Sequence, residues 1–169
     1  MMTRVALLGL ALLLAGWSGA GAQMPAPPRP TPAPAPVPFR LTVNAATLAG
    51  LPRITISATD EGGHTNKYTG VSLRDLLVRA GAPAGTPVRG KAMMSYVVVS
   101  AADGYHVLFT LPELDASYTD HVVVIADQRD GAPLAAGAGP YRLIVPFEKR
   151  DAGWVRQVTA IDLQNAPAP

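Results

Sequence analysis

The chain has 169 residues, with 14 Lys and Arg against 12 Asp and Glu, a formal charge of +2, and no cysteine. A charge this close to neutral lacks the electrostatic footprint of a nucleic-acid-binding protein. Without cysteine there is no disulfide framework, thiolate nucleophile, iron–sulfur cluster or cysteine-bound zinc, so a hydrophobic core must hold any fold.

The first 22 residues have the order of a secretory signal. Met1 to Arg4 is short and basic, Val5 to Ala15 is apolar, and Ala20-Gly21-Ala22 is a small-residue cleavage site before Gln23. The apolar run is too short to span a bilayer, which argues against a membrane-integral protein and for a periplasmic or secreted one. Residues 23–38, "QMPAPPRPTPAPAPVP", alternate proline with small residues and predict a semi-rigid, polyproline-like linker. A single domain is expected over 39–165, about 125 residues and enough for one core.

Within that domain, Arg40 to Val43 predicts a strand and "NAATLAGLP" a short helical turn. In "RITISAT", Ile54, Ile56 and Ala58 alternate with polar residues, as in a half-buried strand. "DEGGHTN" predicts a turn, and Lys67 to Gly70 leads into a helix. Ser72 stands three residues before Asp75, close to a capping box. Leu73, Leu76, Leu77 and Ala80 follow at helical spacing, with Gly81 and Pro83 as the stop.

Ser95 to Ala101 and Tyr105 to Thr110 predict two strands joined at Asp103-Gly104 as a hairpin. "LPELDASYT" predicts a short helix, and Val122 to Ala126 a buried strand. Tyr141 to Pro146 and Val155 to Leu163 complete an α+β fold with one mixed sheet and a few short helices.

Catalytic patterns are weak. His64, His106 and His121 share no metal-ligand spacing, and "GVSLR" departs from a nucleophile elbow at Arg74, leaving Ser72 as a helix cap. What stands out is "GPYRLIVPFEKRDAGWVRQV". Here an apolar strand runs into Glu148, Lys149, Arg150, Asp151 and Arg156 around Trp154. Arg142 and Arg156 are set among apolar residues, and a buried guanidinium needs a partner: a carboxylate such as Glu148 or Asp151, or a bound anion.

Taken in order, "YTGVSLRDLLVRAGAP", "YVVVSAADGYHVLFTLPELD", "VVVIADQRDGAPLAAGAGPYRLIVPF" and "GWVRQVTAIDL" resemble the molybdopterin-binding domain of sulfite-oxidase-type oxidoreductases, over about Leu41 to Leu163. The resemblance implies that fold, and a site where basic residues grip an anionic pterin phosphate while a cysteine thiolate binds molybdenum. It implies that Tyr105, after the D-G-Y turn, lies near the metal's oxo group. Arg142 matches the arginine of the family's P-x-R-x-x-x-P strand, and Arg156 matches a basic residue farther on. With Lys149 and Arg150 these are the candidate cofactor-binding residues.

Three positions depart from the pattern. No cysteine stands at the end of "RITISAT" or in the turn near Asp60, Ala138 replaces a histidine, and Phe147 replaces a glycine. A molybdenum–thiolate bond cannot form here, and the hard carboxylate of Asp60 is a poor substitute for it. The expectation is an exported domain that binds a small anionic or pterin-like ligand, or a protein partner, rather than catalysing, with molybdopterin the cofactor the resemblance implies. Two alternatives stay open. One is a molybdopterin-dependent oxidoreductase with altered ligation or a partner subunit. The other is an assembly module presenting an apolar patch at Phe147 and Trp154.

Overall fold

In a computed structural model the described residues are 34–167. The expected leader over 1–22 and linker residues 23–33 lie outside them. Regular structure begins with β1 (Phe39–Thr42), α1 (Ala45–Leu48), β2 (Arg53–Thr59), β3 (Thr65–Ser72) and α2 (Leu73–Arg79). After a 3-10 turn (Gly90–Met94) come β4 (Ser95–Ala101), β5 (His106–Thr110) and a second 3-10 turn (Pro112–Leu114). Then follow β6 (Val124–Arg129), β7 (Ala132–Pro133), β8 (Arg142–Ile144), a 3-10 turn (Asp151–Gly153) and β9 (Val158–Asn165).

The α+β class holds, but the single mixed sheet does not. The strands divide into two sheets, one ordered β1-β9-β4-β5 and one ordered β2-β3-β6, with β7 and β8 both pairing with β6. Every pairing is antiparallel. The apolar alternation of each strand specifies which face is buried, but not which neighbour it pairs with or in which direction. Val97, Val99, Ile161 and Leu163 of the first sheet meet Val71, Ile125 and Leu143 of the second in one hydrophobic core.

The expected turn forms over 60–64, and the strand β3 takes its last two residues and replaces the lead-in expected before the helix. It forms a hairpin with β2 in which Thr59 faces Thr65 and Ile56 faces Tyr68. The Asp60 carboxylate closes the turn by accepting from the His64 N–H at 2.9 Å. Only Tyr68 and Val71 in "TNKYTGVS" are large and apolar, so the strand has no legible alternation.

The helix α2 follows its predicted signals. Ser72 accepts from the Asp75 N–H at 3.4 Å, Leu73, Leu76 and Leu77 are buried, and Gly81, at a φ of 104°, ends it. Among the described residues no helix is long and apolar enough to cross a membrane.

Candidate functional site

Three loops meet at a cleft of about 620 Å³, within the usual range for small-molecule sites. Tyr105 and Asp103 come from the β4–β5 hairpin, and Ala136, Gly137 and Ala138 from the loop before β8. Arg142, Asp151, Trp154 and Arg156 come from β8 and the segment after it. Backbone hydrogen bonds tie the loops together: Gln157 N–H donates to the Ala138 carbonyl at 3.0 Å, and Ala102 N–H to the Gln157 carbonyl at 3.0 Å.

The hairpin aims Tyr105 by local chemistry. Gly104 takes a φ of 86°, which a side-chain-bearing residue resists, and Asp103 accepts from the Tyr105 N–H at 2.9 Å. The phenol then donates to the Ala152 carbonyl at 2.8 Å, across 47 residues of sequence. That bond joins the hairpin to the 3-10 turn Asp151–Gly153.

Arg142 opens β8, where it pairs with Ala126 of β6, and its side chain is 14% exposed. Its Cζ lies 5.4 Å from the centroid of the Trp154 ring, in cation–π range. Trp154 is itself buried, donates from Nε1 to the Val145 carbonyl at 2.8 Å, and meets Tyr68 edge-on at 5.7 Å. The Arg142 Nη2 stands 3.8 Å from Asp151 Oδ2, close enough for attraction and too long for a hydrogen bond. The Nε is buried and has no hydrogen-bond partner. A desolvated, unmet guanidinium donor is costly unless something accepts from it.

Glu148 braces the turn from below, accepting from the Gly153 N–H at 3.2 Å. Burial pushes its carboxyl above the ordinary glutamate value and the nearby Glu113 charge adds to the rise, against the pull of the Gly153 N–H. An acid whose folded-state value is raised holds its full stabilising contribution at low pH. It loses that contribution as pH rises through the raised value. Glu148→Gln keeps an oxygen for Gly153 and cannot ionise. The variant is expected to melt above the wild type at pH 7 and to lose that advantage as pH falls below the ordinary glutamate value. Thermal melts across pH measure this, and a variant less stable than wild type at pH 7 would show that the charge is needed.

Of the five candidate residues, Tyr105, Arg142 and Arg156 line the cleft. Arg156 is exposed rather than buried, so it has no need of an internal partner. Lys149 and Arg150 are exposed and do not line it, and Arg150 Nε instead sits 3.5 Å from Glu61 Oε1. The apolar patch that would favour the assembly-module alternative does not form at Phe147 and Trp154. Trp154 is buried, while Phe147, 41% exposed, stacks on His121 at 4.0 Å. Sequence reasoning did not place Asp103 in the site, and Asp151 entered only as a candidate partner for Arg142. No spacing in the sequence marks either carboxylate as a cleft residue.

The histidines stay apart: His64 lies beside Asp60 and His106 beside Ser100. Asp60 does not line the cleft, and the His64 N–H holds its carboxyl below the usual range. Among the described residues no three His, Cys, Asp or Glu side chains cluster as a metal site. A second cavity, of about 330 Å³, is lined in part by Arg74, whose buried Nε also has no hydrogen-bond partner. That guanidinium is more open to solvent and lies 3.8 Å from the buried Asp115.

A family model described as oxidoreductase molybdopterin binding domain matches residues 42–169. No curated protein matches the chain. The cleft fits the anionic end of such a cofactor, since Arg142 and Arg156 both line it. It does not fit the metal end by a thiolate, because the chain contains no cysteine.

Proposed function

The chain belongs to the oxidoreductase molybdopterin-binding domain family, and from that premise we propose that it binds a small anionic or pterin-like ligand at Arg142, without thiolate-ligated metal chemistry. The observation that carries this is the buried Nε of Arg142, unpartnered beside an ion pair too long to be a hydrogen bond. A guanidinium presents planar, paired donors that match phosphate or carboxylate oxygens. The segment before the domain supports export to the periplasm or beyond, with a mature chain beginning near Gln23. N-terminal sequencing of the exported protein checks that start.

Calorimetric titration with inorganic phosphate and with a pterin phosphate tests the site. Binding is expected in the wild type. In Arg142→Ala it should weaken by about tenfold or more, the usual worth of a charge-assisted hydrogen bond. Arg142→Lys keeps the charge without the paired donors and should fall between the two. No heat with any anion, together with early melting of Arg142→Ala, would make Arg142 a structural residue and end the proposal.

The family match favours a second reading, an oxidoreductase that holds molybdopterin by other ligands or with a partner subunit. Stoichiometric molybdenum in protein purified from its native compartment would favour that reading over the first.

A further inference from the structure

The charged lining of the cleft is balanced. Arg142 and Arg156 face it, and so do Asp103 and Asp151. An anion hydrogen-bonded to Arg142 Nη2 would sit about 2.9 Å from that nitrogen. Since Asp151 Oδ2 is 3.8 Å from the same atom, the anion would lie within about 7 Å of the carboxylate, inside the Debye length. A simple anion would therefore meet a donor and a like charge together.

The backbone of Asp151 is held in place. Its own carbonyl accepts from the Trp154 N–H at 2.9 Å, and the turn is held by Tyr105 through Ala152 and by Glu148 through Gly153. Its side chain is 31% exposed and has no hydrogen bond among the described residues, so its oxygens are open to a ligand's donors. We infer that the cleft selects a small zwitterion: a carboxylate or phosphate for Arg142, with an ammonium or similar cationic N–H group a few bonds away for Asp151. Asp151 is then the specificity-determining residue. This rests on the anion-binding reading of the Arg142 cleft and narrows its ligand.

Phosphoethanolamine and propyl phosphate are nearly the same shape and differ in the ammonium. Calorimetric titration of the wild type should show the first binding about tenfold more tightly, as expected for one charge-assisted contact. In Asp151→Asn the preference should vanish, with phosphoethanolamine weakened and propyl phosphate strengthened. Thermal melts confirm that the variant folds, and if it does not, the wild-type preference decides alone. Equal wild-type affinities, both lost in Arg142→Ala, would overturn the zwitterion and leave the anion site standing. A preference that survives in Asp151→Asn would overturn the role of Asp151. No binding of either probe would overturn the anion site and the zwitterion together.

Discussion

Gly70→Ala is expected to be among the most destabilising single changes in the domain. Gly70 lies in β3, the strand between β2 and β6, where the pairing with β6 shifts register between Thr69 and Gly70. A Cβ there would overlap the Ile125 carbonyl oxygen and come within 2.6 Å of the Ala126 Cα. Both obstacles are backbone, so no rotamer change relieves them. Overpacking a core ordinarily costs about 1–3 kcal/mol, where side chains can shift. Here the relief would be to part β3 from β6, so the loss should be about 3 kcal/mol or more, a large share of the total for a domain without disulfides. Urea denaturation measures it, and a loss below about 1 kcal/mol would mean that the two strands separate easily.

The fold was legible where a local rule acts alone. The Ser72 cap with Leu73, Leu76 and Leu77 marks α2 at both ends, and Asp103-Gly104 between two apolar runs marks the β4–β5 hairpin. The strand β3 was not, because its burial comes from neighbours on both sides rather than from apolar residues of its own. Nor was the division into two sheets, which depends on long-range pairings such as Thr42 with Ala160 and Val97 with Leu163.

The candidate site was partly legible for a different reason. Tyr105, Arg142 and Arg156 were identified by family pattern, and the structure brings those three to one cleft. Lys149 and Arg150 were grouped with them by proximity along the chain. The turn after β8 leaves both in solvent. The opposing carboxylates of Asp103 and Asp151 gain meaning only from the closure of three loops, which no spacing in the sequence reports.

Trp154 connects core and cleft, and its replacement should register in both. Trp154→Ala removes a ring that is 4% exposed, its edge contact with Tyr68 and the surface beneath Arg142. Large-to-small changes of buried aromatics cost about 3–5 kcal/mol, and the cavity would free Arg142 to move, so anion affinity should fall as well. Trp154→Phe separates the two effects. It keeps an aromatic face for the guanidinium and loses the N–H to Val145, whose carbonyl still accepts from Glu148 N–H at 3.2 Å. With that carbonyl satisfied, the phenylalanine variant should lose only about 1 kcal/mol and keep most of its affinity. Denaturant melts beside phosphate titrations of the two variants decide. If Trp154→Ala binds phosphate as the wild type does, Arg142 is positioned by β8 and Asp151 alone, and the ring belongs to the core only.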